Sequence, residues 1–171
     1  MKALVAAYGT LLSRESLALT LSHESTREKR FVPVWIAGFQ RVFNVRPPYY
    51  RGARASHEES ALNLERLADA RCNAAVFLAS LDELARLDAR ERGYERVVVP
   101  LLSFETLQPF GQAFAYVAPT SSPWIERDPR ALAPLPRDLE WARAGARELG
   151  PDFAREFERT TFLADGRTPL G

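Results

Sequence analysis

Lys2–Ser13 reads KALVAAYGTLLS, an apolar run that ends at a glycine and is followed by a helix start. The run Ala3–Ala7 is short and continuous, as is typical of a buried strand. Ser13 suits the start of the next helix, because its hydroxyl can accept a hydrogen bond from a free amide of the first turn. The chain is therefore predicted to open with a strand, a tight turn at Gly9 and a helix.

The turn at Tyr8–Leu12 has two interpretations. Backbone amides at a strand-to-helix junction point outward and attract anions, and a glycine lets a ligand approach the backbone closely. A cradle for a small carboxylate or phosphate is therefore one interpretation. The other is a plain strand-to-helix turn with Tyr8 in the core, and one glycine does not distinguish them.

A second informative stretch, SLDELARLDARERGY at residues 80–94, reads as a short helix with clear ends. Ser80 and Glu83 form a capping-box pattern, in which the hydroxyl and the carboxylate satisfy free amides at the helix start. Gly93 suits the helix end, because glycine adopts the left-handed cap conformation at no steric cost.

Glu91 lies on the apolar side of this helix. It follows Leu84 by seven residues and Leu87 by four, so it points the same way as they do. The same spacing places Arg86 and Arg90 elsewhere on the helix. Burial and the negative end of the helix dipole both disfavour a charged carboxylate, which predicts a raised pKa and a general acid or base. The alternative is an ordinary solvated charge run.

The remaining segments indicate strands in the first two-thirds of the chain and helices at its end. Phe31–Val45 is rich in β-branched and aromatic residues, and Gly38 interrupts it as at a turn or a bulge. Further strands are predicted at Ala61–Leu64, Asn73–Leu78, Tyr94–Phe104 and Gln112–Val117. This order indicates an α+β fold, because a doubly wound fold would alternate strands with helices.

Loops and C-terminal helices complete the prediction. Proline and glycine content predicts loops at Arg46–His57 and Pro119–Pro136. A helical pattern begins at Pro136, is broken at Gly150 and resumes at Pro151. The polar tail from Ala164 onward is expected to be loose.

The strand Gln112–Val117 alternates between aromatic and small residues. Phe114 and Tyr116 share one face, and alanines occupy the other. Such a strand suits a position between a pocket and a packed layer, so Tyr116 is a candidate pocket residue, although such residues are more often packing residues.

Composition excludes several classes of function. The 171 residues carry a formal net charge of +1, which does not favour a nucleic-acid partner. The two histidines, His23 and His57, are far apart and predict neither a metal site nor a histidine-based triad. No glycine-rich nucleotide motif is present. A single cysteine, no apolar run of about 18 residues and no signal-like start favour a cytoplasmic protein without a membrane segment.

Three motifs, in this order, resemble the gamma-glutamylcyclotransferase-like superfamily. They are YGTL at Tyr8–Leu11, GFQRVFN at Gly38–Asn44 and LDARERGY at Leu87–Tyr94. The resemblance covers residues 2–119, and the segment 150–166 resembles a helical tail of some bacterial members. It implies a small mixed β-barrel with flanking helices and a helical C-terminal tail. The implied organisation is one domain over residues 1–171, with a core at 2–119 and a helical extension at 136–165.

The resemblance also implies an activity. Tyr8, Gly9, Thr10 and Leu11 would hold the α-carboxylate and amine end of a gamma-glutamyl group, and Glu91 would be the catalytic acid and base. The implied reaction is cyclisation of a gamma-glutamyl amine, peptide or conjugate to 5-oxoproline with release of the amine, as in glutathione metabolism. No metal or cofactor is implied, the partner is a small-molecule substrate, and a monomer or a homodimer is expected.

Departures from the family pattern leave the substrate open, among them the absence of the asparagine found in the Tyr-Gly-Ser-Asn branch. Thr10 stands where serine is commoner, and its methyl group narrows the pocket. The glutathione-specific branch ends the third motif with Gly-Gly-Tyr, whereas this chain has Arg92-Gly93-Tyr94. Two alternatives to the cyclotransferase therefore stay open: a non-catalytic small-ligand binding or interaction module, and an acyl-transfer or hydrolytic variant on the same scaffold.

Overall fold

A computed structural model describes residues 1–46 and 58–171 of the chain. Within these residues the strands are β1 (Lys2–Ala7), β2 (Val32–Val45), β3 (Glu59–Ser80), β4 (Glu95–Ser103), β5 (Pro109–Val117), β6 (Ala133–Pro134) and β7 (Thr161–Phe162). The helices are α1 (Arg14–Leu21), α2 (His23–Glu28), α3 (Leu81–Arg90), α4 (Pro136–Glu148) and α5 (Pro151–Arg159). Of the predicted loop Arg46–His57, only Arg46 is among the described residues. The rest of the loop, including His57, lies outside them.

Five of the strands pair into a ring. β1 pairs antiparallel with β3 and parallel with β5. β4 pairs antiparallel with both β5 and β2, and β2 pairs antiparallel with β3, which closes the ring. The two-residue strands β6 and β7 add parallel pairs to β3 and β2. The expected α+β fold with a mixed barrel and flanking helices is therefore confirmed, in the form of a ring-like sheet that is not a regular barrel.

The sequence predicted two separate short strands at Ala61–Leu64 and Asn73–Leu78, and this separation is wrong. Both belong to one 22-residue strand, β3, whose polar middle is largely exposed. β2 pairs with both halves of β3, with a register shift next to Gly38, where φ is +77°. This bulge is the interruption expected at Gly38, and it lets two long strands bend together around the core.

The helices α4 and α5 begin at the two predicted prolines, and Gly150 between them has a φ of +111°. Phe153 and Phe157 of α5 are fully buried, as their spacing indicates. Within the described residues, none of the helices has the length and apolar character needed to cross a membrane.

Helix α4 packs directly against the N-terminal turn. At Gly145 the helix approaches Leu12 so closely that an added Cβ would lie 2.4 Å from the carbonyl carbon and oxygen of Leu12. Any side chain at this position would have to displace backbone. The glycine therefore permits the close approach that fixes α4 relative to the turn.

Arg41 of β2 joins the sheet to α5. Its guanidinium is fully buried and donates hydrogen bonds to Asn73 Oδ1 (2.8 Å), Thr161 Oγ1 (3.0 Å) and the Phe157 carbonyl (3.3 Å). It also lies 4.3 Å from the centre of the Phe157 ring. These contacts pair the two terminal nitrogens of a buried charge with oxygens, while Nε has no hydrogen-bond partner among the described residues, and they secure the C-terminal helix on the sheet.

The tail after Ala164 is not loose, contrary to the expectation from its polarity. The Leu170 amide donates to the Thr161 carbonyl, and the Leu163 amide donates to the Thr168 carbonyl. Asp165 accepts hydrogen bonds from two amides of the following turn. Polar composition was misleading because the polar groups bond to one another and to β7.

Candidate active site

The turn after β1 is one turn of 3-10 helix. The Leu12 amide donates to the Gly9 carbonyl (3.0 Å), and the Ser13 amide donates to the Thr10 carbonyl (3.1 Å). Ser13 then caps α1, because its hydroxyl accepts from the Ser16 amide at 3.1 Å. The turn thus has the strand-to-helix geometry that the sequence predicts.

Gly9 lies against the wall formed by β3. A Cβ at Gly9 would be 3.2 Å from Leu62 Cδ1, a tight contact that leaves little room for a side chain. Leu62 and Gly9 both line the cavity beside the turn. The glycine therefore keeps the backbone of the turn open toward this cavity.

Glu91 immediately follows α3. Its amide still donates to the Leu87 carbonyl (2.9 Å), and its own carbonyl accepts from the Tyr94 amide (3.1 Å). Gly93, with a φ of +84°, follows as the predicted left-handed residue. The Glu91 residue is 7% exposed, so the carboxylate lies on the buried side of the helix end, as the leucine spacing indicates.

All six residues singled out from the sequence line one cavity. These are Tyr8, Gly9, Thr10, Leu11, Glu91 and Tyr116. The cavity lies between the turn, the end of α3 and strand β5, with β3 and α4 completing its wall. Residues about 80 positions apart in the sequence are thus brought together; the roles inferred for them in binding and catalysis stay predictions.

The two tyrosines are held in their neutral forms. Burial raises the pKa of Tyr8 well above its ordinary value, and the nearby Glu91 raises it further. Burial also raises the pKa of Tyr116, as does its hydrogen bond to Asp88. Tyr8 donates to the Tyr116 carbonyl at 2.5 Å, and Tyr116 donates to Asp88 Oδ1 at 2.7 Å. Both phenols therefore brace the cavity as donors.

Asp138 is a cavity residue that the sequence reasoning missed. It belongs to the first turn of α4 and is 2% exposed. The signal was present, because Asp138 is four residues before Ala142 on the apolar stripe of α4, as Glu91 is four residues after Leu87. Glu91 and Asp138 are the two carboxylates among the described residues that line the cavity.

Tyr94 also lines the cavity, and its hydroxyl donates to the Leu62 carbonyl at 2.8 Å. From the sequence, Tyr94 was part of the third motif and the first residue of a predicted strand, with no role in the site. Tyr94 and Leu62 are far apart in the sequence. Their contact therefore produces no periodic pattern of residues and could not be predicted from one sequence.

Arg90 was wrongly placed away from Glu91 by helical spacing. Its side chain is 12% exposed, and its Nε lies 3.3 Å from Glu91 Oε1. The guanidinium also contacts Thr10, Ser16 and Thr20. A long, flexible side chain can fold back around a helix end, so Cβ direction alone does not determine where its charge lies.

The arrangement suits proton transfer beside a bound anion. The lining includes the carboxylates of Glu91 and Asp138, and a carboxylate is a side chain that can serve as a general acid or base. Among the described residues, no three His, Cys, Asp or Glu side chains are grouped so that they could hold a metal ion. The backbone turn offers the approach for an anionic group.

Neither a protein-family model nor a curated protein sequence matches this chain. Solved structures do. The chain is similar to a gamma-glutamyl cyclotransferase with a TM-score of 0.69 and 17% identity over 94% of this chain and 88% of that one. An uncharacterized protein from Homo sapiens matches with the same TM-score and identity over 93% and 88%.

The Bacillus subtilis protein YkqA matches with a TM-score of 0.67 and 13% identity, over 99% of this chain and 56% of that one. At such identities the likeness concerns the course of the backbone rather than the chemistry of the site. The ring-like sheet, the flanking helices and these structures agree: the chain has the gamma-glutamylcyclotransferase-like fold.

Proposed function

We propose that the protein is a gamma-glutamyl cyclotransferase, which converts a gamma-glutamyl amine, peptide or conjugate to 5-oxoproline and a free amine. One observation carries the proposal: Glu91 and the turn Tyr8–Leu11 line the same cavity. A proton-transfer group and a cradle for an anionic group are the two parts that this cyclisation needs, because the substrate itself supplies the nucleophile.

In the proposed reaction the turn holds the α-carboxylate of the gamma-glutamyl group. The Glu91 carboxylate takes a proton from the α-ammonium, and the freed amine attacks the γ-carbonyl carbon. A carbon–nitrogen bond forms and closes the five-membered ring, while the carbonyl oxygen becomes an oxyanion that backbone amides of the turn would stabilise.

The second half of the reaction breaks the original γ-amide bond. Protonated Glu91 gives its proton to the leaving nitrogen as the carbonyl re-forms. The ring nitrogen then loses a second proton to Glu91, which passes it to the released amine, so the amine leaves as an ammonium ion. Charge and atoms therefore balance without an oxidant, a reductant or a metal.

The neutral tyrosines support the assignment of the base to a carboxylate. Tyr8 and Tyr116 are donors with raised pKa values, so neither can take the proton from an ammonium group near neutral pH. Tyr116 is proposed to contact substrate through its ring, since its hydroxyl donates to Asp88.

The test is a screen of gamma-glutamyl amines, dipeptides and conjugates for 5-oxoproline release, detected by mass spectrometry. Glu91→Gln should lower kcat on every accepted substrate by roughly 100-fold to 10,000-fold, the range for loss of a general acid or base. Glu105→Gln, which changes an exposed glutamate in the β4–β5 loop, is the matched control and should leave kcat unchanged.

Two results would contradict the proposal. Equal release by the Glu91→Gln variant and the wild type would remove Glu91 from the mechanism. Binding of gamma-glutamyl compounds without 5-oxoproline from any of them would favour the non-catalytic binding module on the same fold.

A further inference from the structure

The guanidinium of Arg90 contacts both parts of the proposed site. Its Nη1 donates to the Ser16 carbonyl (2.8 Å) and to Thr20 Oγ1 (3.1 Å). Its Nη2 donates to Ser16 Oγ (2.7 Å) and to Thr10 Oγ1 (3.2 Å). Its Nε lies 3.3 Å from Glu91 Oε1. Both terminal nitrogens therefore donate to oxygens and Nε lies beside a carboxylate, so the planar group is held in one orientation.

This contact determines which way the Thr10 hydroxyl can act. A guanidinium has five donors and no acceptor, so Thr10 Oγ1 must accept in its bond with Arg90. The hydroxyl hydrogen then points away from Arg90. Since Thr10 lines the cavity, the hydroxyl is available there as a donor, which is the polarity that a carboxylate ligand requires.

The same rigid group also holds the carboxylate of Glu91. Because Nε and Nη2 belong to one planar fork, the positions of Glu91 Oε1 and Thr10 Oγ1 are linked through Arg90. Ser16 and Thr20 of α1 anchor the fork from the other side. Arg90 thus links the proposed base to the proposed carboxylate cradle.

We propose that Arg90 is a positioning residue that orients the Thr10 hydroxyl toward a substrate carboxylate. The role deepens the proposed function and rests on it in one respect, the assignment of the turn Tyr8–Leu11 as the carboxylate cradle. It predicts that ligands must carry an α-carboxylate to benefit from Arg90. A purely structural tie between α1 and α3 would show no such dependence.

The first test measures binding by calorimetry with two probes, L-glutamine and its decarboxylated analogue 4-aminobutanamide. Arg90→Met and Thr10→Val should each weaken L-glutamine binding by roughly tenfold, the effect of one hydrogen bond to a charged group. Neither should change the binding of 4-aminobutanamide by more than about twofold. Thr10→Ser retains the hydroxyl and is the matched control, with affinity close to that of the wild type.

The double variant separates positioning from simple destabilisation. If Arg90 acts through the Thr10 hydroxyl, adding Arg90→Met to Thr10→Val should weaken L-glutamine binding by less than about twofold more. Arg90→Lys keeps the charge without the fork, so it should bind L-glutamine as weakly as Arg90→Met does. The Lys variant also serves if the Met variant does not fold, which circular dichroism and the melting temperature would reveal.

Several outcomes would overturn the role of Arg90. One is an equal loss of affinity for both probes, and another is a full tenfold loss on adding Arg90→Met to Thr10→Val. If the wild type binds neither probe, the carboxylate site and the role of Arg90 are both wrong. If it binds L-glutamine but releases 5-oxoproline from no substrate, the proposed function fails, while the binding cycle still decides whether Arg90 orients Thr10.

Discussion

The two ends of helix α3 each carry a glutamate of low exposure, and the two carboxylates have different surroundings. At the start, Glu83 accepts from the Ser80 amide (2.8 Å), from Lys29 Nζ (2.5 Å) and from Ser25 Oγ. At the end, Glu91 lines the cavity with Arg90 beside it. One carboxylate is enclosed by protein donors, whereas the other borders the cavity beside the turn.

The helix dipole adds to the difference. The positive end of α3 stabilises the charge of Glu83, and the negative end disfavours the charge of Glu91. Burial alone would raise the pKa of Glu83, but hydrogen bonds from Lys29, Ser25 and Ser80 outweigh it and lower the pKa to about 2. A buried carboxylate thus indicates function only when its surroundings include a cavity.

The largest effect that would test this contrast is expected from Glu91→Asp. The shorter side chain keeps the charge but withdraws the carboxylate by about one carbon–carbon bond from its position beside Arg90. A displacement of about 1 Å at a reacting group can cost roughly 100-fold, so kcat should fall by about that factor. The measurement is 5-oxoproline release under saturating substrate.

The control for this variant is a measurement of its free energy of unfolding. Because Glu91→Asp keeps the charge and removes one buried methylene, the free energy of unfolding should fall by no more than about 1 kcal/mol. A large loss of stability together with the loss of kcat would make Glu91 a structural residue like Glu83, and the contrast between the helix ends would disappear.

Local patterns in the sequence predicted both helix ends, but not everything around them. The capping box and Gly93 follow from local hydrogen bonding and backbone conformation, and the position of Glu91 follows from helical periodicity. Arg90 could not be placed, because its partners Thr10 and Ser16 belong to another part of the chain. Helical spacing gives the direction of a Cβ atom, and the remaining length of an arginine can reverse it.

In the sheet, too, local patterns predicted only part of the structure. The ends of β3 were predicted because they are apolar, and its exposed polar middle was not, since a strand pattern needs a buried face to be visible. Pairing with β2 continues the strand through this region. Asp138 is a different case, because its place on the apolar stripe of α4 was readable from the sequence by the argument applied to Glu91.

At the other helix end, Glu83→Gln should affect stability and spare activity. Glutamine keeps an oxygen that can accept from the Ser80 amide but loses the charge that pairs with Lys29. We expect the free energy of unfolding to fall by about 1–2 kcal/mol, and kcat to stay within twofold of the wild type. Urea denaturation measures the first and 5-oxoproline release the second.

Asp82→Asn is the matched control for that variant, because Asp82 lies in the same first turn and is exposed. It removes a charge from the positive helix end without removing a buried pair, so its cost should be about 0.5 kcal/mol. A cost equal to that of Glu83→Gln would mean that the dipole, and not the contacts with Lys29 and Ser25, distinguishes the two helix ends.

The smallest expected effect is the contribution of Glu83 to the pH dependence of the unfolding free energy. Its pKa is about 2 in the folded protein and ordinarily 4.5, so its contribution to stability is fully present above pH 4.5 and is lost as the pH falls toward 2. The unfolding free energies of the wild type and Glu83→Gln should therefore converge between pH 4.5 and 2, by an amount on the order of 1 kcal/mol after solvent screening. Urea titrations of both proteins at several pH values measure this, and a difference that stays constant to pH 2 would show that the Lys29 pair does not stabilise the start of α3.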